Sequence, residues 1–281
     1  MSLSSIYANY LNSKKEEKVR DPKRLFLSDI GKCPRQVAYR LLETEEEYES
    51  EQEKINKTIM FDLAEHIEET LWLALEEKGM GVAFQPEVPL PDRENWGGRA
   101  DIIADYCGRR VLEVKSIYPG AFKYPLENKY PQHHHQANSY DIYLQDIYGL
   151  EAGPLIPYFD RGGQNTPQEI EVWMDSSGTI RLMDELDEVR ENLPELPDKL
   201  PKCLTLTSYN KKIVYGPDPA CRLPYCRYVD TACHPDKSKS EWAVRERIKG
   251  QYQPWVLKKA HDPEILMPFL DSLIDEALED F

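Results

Sequence analysis

The chain has 281 residues, of which 41% are hydrophobic and 10% aromatic, and its formal net charge is -15. This length can bury a full core, and no apolar run approaches the roughly 18 residues that a membrane span needs. The acidic balance opposes binding to a polyanion by overall charge. Two basic segments, residues 14–40 and 237–259, are exceptions that could converge on one surface.

The N-terminal 24 residues contain no apolar segment followed by a small-residue cleavage site. The sequence therefore predicts a cytoplasmic protein. Structural disulfides are uncommon in that compartment, whereas metal ligation is not, so the placement of the six cysteines matters more than their number.

Two helices are the first predicted elements. Residues 26–43 predict a capped helix, and residues 52–79 predict a longer one, with apolar residues at helical spacing from Ile59 onward. His66 follows Ile59 by seven residues, so it returns to nearly the same azimuth and is expected to face the interior.

A strand-rich block follows, in which "GRADIIADY", a turn at "CGR" and "RVLEVKSI" predict a hairpin. The next helix, over residues 132–148, places Gln136 and Tyr140 on one face. A second hairpin from "GPLIPYFDR" and "EIEVWMD" precedes a helix over 179–193. This order of elements predicts an α/β fold with a mixed central sheet flanked by helices.

The first hairpin brings three charged residues together. Glu113 and Lys115 share one face of "RVLEVKSI" because strand side chains alternate, and Asp101 lies on the antiparallel neighbour. Two carboxylates this close repel unless a divalent cation lies between them, and oxygen ligands suit magnesium or manganese. A nearby lysine can orient a water or balance phosphate charge. The constellation favours phosphodiester hydrolysis, although the same residues occur by chance in many sheets.

The segments "GGRADII" and "VLEVKS" resemble the core of the PD-(D/E)XK nuclease superfamily, in its RecB-like branch. This resemblance implies a restriction-endonuclease-like core in which Asp101 and Glu113 bind Mg²⁺ or Mn²⁺ and Lys115 is catalytic.

Further positions are similar to those of the same branch. The resemblance implies that His66, in "FDLAEHIEETLW", is an additional metal ligand, although a lone histidine on an apolar face is usually a packed core residue. It also implies that Gln136 and Tyr140 hold substrate and order the site, and Glu87 is a weaker match to an acidic position. The run 133–135 is three histidines that point in three directions on a helix, so it does not predict one metal site.

Three cysteines lie within thirteen residues near the C-terminal end of the sequence: Cys221, Cys226 and Cys233. Closely spaced thiolates select zinc or an iron-sulfur cluster, and either metal normally takes four ligands. Cys33 is the best candidate for the fourth ligand. Zinc remains the alternative, with His234 or Cys203 as substitute ligand. Cys107, in the hairpin turn, is interpreted as an ordinary thiol, and so is Cys203 unless zinc is the metal.

The cysteine pattern resembles that of the iron-sulfur RecB-like nucleases, which include AddB-type helicase-nuclease subunits and CRISPR-associated Cas exonucleases. This resemblance implies a 4Fe-4S cluster on a peripheral segment that joins the two ends of the nuclease domain. It also divides the chain into an N-terminal extension (1–25), a RecB-like nuclease domain closed by the cluster (26–236) and a C-terminal helical extension (237–281).

The function implied is a metal-dependent deoxyribonuclease, more an exonuclease than an endonuclease, which hydrolyses single-stranded DNA in recombination, repair or viral DNA processing. Tyr118, Phe122 and Tyr124 are candidates for base stacking. Besides single-stranded DNA, the expected partners are other proteins or further copies of the same chain. No binding to a membrane is expected. Two alternatives stay open: a catalytically silent subunit that binds DNA or a protein in a larger complex, and a zinc-stabilised structural protein.

Overall fold

The computed structural model describes residues 6–7, 10–11, 13, 21, 23–44, 50–123, 125–127, 130–172 and 176–193, together with the backbone of further strands between 202 and 252. The chain groups into two compact units. One comprises Met1–Lys32 with Tyr48–Asp187, and the other comprises Cys33–Glu47 with Glu188–Phe281.

The helices of the described residues are α1 (Pro34–Leu41), α2 (Glu51–Glu77), α3 (Pro131–Tyr148) and α4 (Ser176–Glu191). The strands before α3 are β1 (Leu25–Phe26), β2 (Gly81–Phe84), β3 (Trp96–Gly97), β4 (Ile102–Asp105), β5 (Arg109–Leu112) and β6 (Lys115–Ile117). The later strands are β7 (Leu155–Asp160), β8 (Gln168–Glu171), β9 (Lys202–Tyr209), β10 (Lys212–Pro217), β11 (Trp242–Arg245), β12 (Arg247–Ile248) and β13 (Gln251–Tyr252). None of the described helices combines the length and apolar character needed to cross a bilayer.

The predicted helix over residues 26–43 is wrong in extent. This stretch begins with part of β1 and a 3-10 turn, Leu27–Asp29, and becomes helical only in α1. Gly31 interrupts the helix because its φ of 77° lies in the left-handed region. Pro34 then starts α1, where a missing backbone N–H costs nothing.

The long helix α2 agrees closely with its prediction. Ser50 caps its N-terminus by accepting from the backbone N–H of Glu53, whose side chain accepts from Ser50 N in return. The side chain of His66 is exposed, so the expectation that it faces the interior is wrong. The stripe of α2 that packs against the sheet passes instead through Ile67 and Leu75, whose azimuths differ from that of His66 by about 100 and 180 degrees respectively.

The main sheet of the first unit is mixed, which confirms the predicted architecture. β2, β4 and β5 are antiparallel neighbours, β5 and β6 both pair in parallel with β7, and β8 is antiparallel to β7. Both predicted hairpins are therefore present. The helix predicted between them is α3, and the one predicted after them is α4.

The predicted strand "RVLEVKSI" is interrupted in its middle. β5 places Leu112 opposite Leu155, and β6 places Lys115 opposite Tyr158, so the chain follows β7 in one register on either side of the break at residues 113–114. A break in a strand releases its side chains from strict alternation. The two residues at the break, one of them a carboxylate, are buried.

Helices cover both faces of this sheet. One buried cluster contains Leu112 and Leu155 with Leu75 of α2. The other contains Ile156 of β7 with Ala137 of α3. Leu155 and Ile156 are consecutive in β7 and therefore point to opposite faces, which places α2 and α3 on opposite sides.

Polar contacts hold α4 against the loop between β2 and β3. The guanidinium of Arg93 donates to Asp184 at 2.6 Å, to Asp187 and to the hydroxyl of Tyr143 at 3.2 Å. Trp96 Nε1 donates to Asp187 at 2.6 Å. Trp96 is 1% exposed, so this network fixes a buried residue of β3.

In the second unit, β9 is antiparallel to β10 and parallel to β11, and β12 and β13 form an antiparallel pair. Part of the segment 237–281, predicted as a helical extension, thus contains described strands. The remainder of that segment, and residues 221–234 with their three cysteines and His234, lie outside the described residues.

Candidate active site

The structure brings Asp101, Glu113 and Lys115 together where the strand is interrupted. Asp101 immediately precedes β4, and its Oδ2 accepts from the backbone N–H of Val114 at 2.8 Å. Lys115 Nζ donates to Glu113 Oε1. The sheet backbone continues through the break, because the N–H of Glu113 donates to the carbonyl of Leu155 at 3.0 Å. The three residues predicted from the sequence are therefore neighbours.

Burial and mutual repulsion dominate the electrostatics of this group. The side chain of Glu113 is 0% exposed, and burial together with the charge of Asp101 raises its pKa to about 8. Burial also raises the pKa of Asp101, against the opposing charge of Lys115. Burial lowers the pKa of Lys115, but the charges of Glu113 and Asp101 outweigh it, so the net pKa is raised.

Glu113 has one oxygen that is suited to a cation. Its Oε1 accepts from Lys115, whereas its Oε2 is buried without a hydrogen-bond partner. A buried unpaired carboxylate oxygen is costly unless a positive charge is bound to it. Carboxylate oxygens are also the ligands that Mg²⁺ and Mn²⁺ prefer, so the donor set fits such an ion. No ready-made cluster of three His, Cys, Asp or Glu side chains occurs among the described residues.

The side chain that α2 adds to the group is Glu68, which the sequence interpretation missed. Burial and the charge of Asp101 raise its pKa to about 7, and Gln85 Nε2 donates to its Oε2 at 3.2 Å. The repulsion between Glu68 and Glu113 raises the pKa of Glu113 as well. His66, predicted as the ligand from this helix, is exposed and is not among the residues that line the pocket. The helical spacing of Phe61, Glu65 and Glu68 was the signal that could have identified this face.

A pocket of about 520 Å³ is lined by Asp101 and Glu68, whereas Glu113 and Lys115 are not among its lining residues. Gln136 and Tyr140 of α3 line it, and Gln136 Nε2 donates to the hydroxyl of Tyr140 at 2.7 Å. Burial first, and then the charges of Glu113 and Asp101, raise the pKa of Tyr140 well above its usual value. Tyr140 therefore stays a neutral hydrogen-bonding group at the edge of the site.

The opposite wall of the pocket comes from the segment that leads into β4. Glu87 and Arg99 form an isolated antiparallel bridge, and both side chains are exposed and line the pocket. Gly98 lies against Leu27, and a Cβ on it would lie 2.5 Å from the Leu27 Cδ1. A larger residue at position 98 would therefore displace the buried Leu27 side chain.

The three consecutive histidines have separate environments, as the helix periodicity predicts. His133 Nδ1 lies 3.0 Å from the hydroxyl of Tyr158, and His135 Nδ1 lies 3.1 Å from Thr179 Oγ1. His134 is fully buried, and burial lowers its pKa to about 4. None of the three lines the pocket.

The remaining predicted residues lie away from the pocket or outside the described residues. Tyr118 is 54% exposed and Phe122 packs against a core cluster, and neither lines the pocket. Tyr124 is outside the described residues. Cys33 is the N-cap of α1 in the second unit, and Cys107 is exposed in the turn between β4 and β5. For Cys203 the structure describes the backbone of β9 only.

No protein-family model matches the chain, and no curated protein matches it. Among solved structures, the crystal structure of SSO0001 has a TM-score of 0.43 and 16% identity, covering 69% of this chain and 89% of that chain. The crystal structure of an alkaline exonuclease (LHK-Exo) from Laribacter hongkongensis has a TM-score of 0.35 and 14% identity. The match covers 64% of this chain and 95% of that chain. Similarity at this level identifies neither a family nor a function.

Proposed function

We propose that the protein is a metal-dependent deoxyribonuclease that hydrolyses phosphodiester bonds of single-stranded DNA, more as an exonuclease than as an endonuclease. The observation that carries this proposal is the meeting of Asp101, Glu113 and Lys115 beside an open pocket, with Glu113 Oε2 buried and unpaired. The resemblance of their segments to RecB-like nucleases supports the same reaction.

Asp101 and Glu113 would hold the ion, and Glu68 would complete the set if the bound ion drew the three carboxylates closer together. We place Glu68 here, and not His66, because Glu68 lines the pocket and is electrostatically linked to both other carboxylates. Bound Mg²⁺ or Mn²⁺ would supply charge stabilisation to the scissile phosphate and lower the pKa of a bound water.

The side chains of the protein position the reacting groups. Lys115 Nζ donates to Glu113, and its side chain is 21% exposed, so it would donate to a water or a phosphate oxygen that enters beside Glu113. The exposed guanidinium of Arg99 can pair with a neighbouring phosphate. The bond from Gln136 to Tyr140 fixes both side chains at the pocket wall, which is a preorganised contact for the substrate.

The second unit is proposed to carry a 4Fe-4S cluster, with zinc as the alternative. Cys33 belongs to the same unit as the segment Glu188–Phe281, in whose sequence Cys221, Cys226 and Cys233 occur. The proposed ligation by four thiolates rests on the spacing of these cysteines in the sequence. We further propose a cytoplasmic role in recombination, repair or viral DNA processing, within a homo-oligomer or with protein partners.

The proposal is tested with anaerobically purified protein, end-labelled single-stranded DNA and Mg²⁺ or Mn²⁺. Wild type is expected to cut, and Lys115→Ala is expected to cut at least about 100-fold more slowly, the size of effect seen for one lost transition-state donor. The matched control is Lys78→Ala, because Lys78 is an exposed lysine at the end of α2. Equal cleavage by wild type and Lys115→Ala would contradict the assignment.

A catalytically silent binding subunit is the second candidate. The net charge of -15 favours it, since a strongly acidic protein binds DNA poorly alone and works better inside a complex. In the same experiment this alternative predicts DNA binding by wild type and by Lys115→Ala, with no metal-dependent cleavage by either.

A further inference from the structure

An exposed aromatic ring lies at the edge of the candidate active-site pocket. Phe61 of α2 lines this pocket and is 54% exposed. Lys57, one helical turn earlier, places its Nζ 6.0 Å from the centre of the Phe61 ring. Several large apolar side chains are exposed, and Phe61 differs from Leu73 and Tyr118 because it lines the pocket of the candidate active site.

Helix geometry places this ring at a short distance from the reacting groups. Phe61, Ala64, Glu65 and Glu68 line the pocket at the spacing i, i+3, i+4 and i+7, which is one face of α2. Seven residues correspond to about 10 Å along a helix axis. The ring of Phe61 therefore lies about two turns from the carboxylate of Glu68, on the same face of the helix.

The charge of the pocket favours a substrate contact that does not depend on electrostatic attraction. The charged residues that line it are acidic Asp21, Glu65, Glu68, Glu87 and Asp101, and basic Arg24 and Arg99. With this excess of carboxylates, electrostatic attraction does not draw a polyanion into the metal-free pocket. Base stacking on an aromatic face is independent of net charge and contributes binding energy for any base.

We propose that Phe61, with Lys57 beside its ring, is a stacking site for an unpaired nucleobase of the strand whose phosphate enters the pocket. This inference rests on the proposed nuclease function and adds the contact that selects single-stranded over double-stranded nucleic acid. A base in a duplex is paired and stacked, so it presents no free face to Phe61. The ammonium of Lys57, 6.0 Å from the ring centre, adds one positive charge beside the proposed stacking position.

The test is a binding titration of the full chain, in a Lys115→Ala background that prevents cleavage, with a fluorescent oligothymidylate and Mg²⁺. Phe61→Ala is expected to weaken binding by roughly 5- to 100-fold, the range for losing one stacked base. Phe61→Trp keeps the aromatic face and is expected to bind at least as tightly. The matched control is Leu73→Ala, because Leu73 is an exposed apolar residue of α2 outside the pocket.

An abasic oligonucleotide of the same length distinguishes a loss of base stacking from a loss of other binding contacts. With Phe61 present, removing the bases is expected to weaken binding as much as Phe61→Ala does. With Phe61→Ala, removing the bases is expected to cause no further loss. Phe61→Leu, which keeps an apolar side chain and removes the π face, is expected to behave as Phe61→Ala.

Two outcomes overturn the inference: binding by Phe61→Ala within about twofold of its parent, or equal losses on normal and abasic strands. Either result leaves the nuclease proposal intact if the protein with Lys115 still cuts DNA. A protein that shows base-dependent binding through Phe61 but cuts no DNA with any metal refutes the nuclease and retains the stacking site.

Discussion

Replacing Glu113 with glutamine is expected to stabilise the metal-free protein and to abolish the proposed cleavage activity. Glu113 is fully buried, its Oε2 has no hydrogen-bond partner, and Asp101 repels its charge. Glutamine has nearly the same shape and no charge. The carboxylate is thus required for metal binding and is unfavourable for folding when no metal is present.

The size of the effect follows from the two pKa values. A glutamate titrates at 4.5 without perturbation and Glu113 at about 8 in the folded protein. The folded state binds this proton more tightly, so the stabilising effect of protonation is present below about pH 4.5 and is lost as the pH rises through 8. Between these two pKa values, each rise of one pH unit lowers the free energy of unfolding of wild type by up to about 1.4 kcal/mol. The decrease reaches roughly 3 kcal/mol at pH 7 and about 5 kcal/mol above pH 8.

The assay is urea unfolding in EDTA at several pH values, followed by tryptophan fluorescence, because Trp96 is buried in the same unit. The free energy of unfolding of Glu113→Gln, minus that of wild type, is expected to rise steadily between about pH 5 and pH 8. The control Glu77→Gln changes an exposed glutamate of α2 and should show no such rise. Added Mg²⁺ should stabilise wild type and leave Glu113→Gln unchanged.

A difference that does not change with pH would refute this reasoning. It would mean that the Glu113 carboxyl ionises as easily in the folded state as in the unfolded chain, and hence that it is solvated. The buried, unpaired oxygen on which the metal-site proposal depends would then be absent.

Three other substitutions test separate parts of the structure. Glu68→Gln is expected to raise the Mn²⁺ concentration needed for cleavage about tenfold or more, whereas His66→Gln should leave it unchanged, and a metal titration of the cleavage rate compares them. Gly98→Ala should lower the free energy of unfolding by about 1–3 kcal/mol, since its Cβ would lie 2.5 Å from a leucine side chain. Gly153→Ala is its control, because a Cβ at position 153 meets nothing within 4 Å. If neither substitution changes the free energy of unfolding, Gly98 is not closely packed against Leu27. Cys33→Ser should lower the iron content of anaerobically purified protein, and an unaltered content of iron and sulfide would remove this cysteine from the proposed cluster.

Most of the architecture could be predicted from local patterns. The alternation of β-branched residues around "CGR" predicted the β4–β5 hairpin, because a short turn forces its two strands to pair. That pairing alone brings Asp101 close to Glu113. The extent of α2 followed from apolar residues at helical spacing, and α3 lies where a helix over residues 132–148 was predicted.

The wrong predictions concern the buried face of α2 and the extent of the first helix, neither of which the local sequence pattern determines. Ile59 and His66 share an azimuth, but His66 is exposed, so periodicity alone assigned the wrong face. In the first predicted helix, the left-handed φ of Gly31 and the helix start at Pro34 divided one expected helix into a turn and α1.

The sequence by itself identified the residues proposed to be catalytic, because Asp101, Glu113, Lys115 and the hairpin that joins them lie within a short stretch of chain. Only the tertiary structure decided their environment. The break at residues 113–114 and the packing of α2 bury Glu113 and turn Glu68 and Phe61 toward the pocket. Burial and the facing side of a helix depend on residues distant in sequence, which no local spacing records.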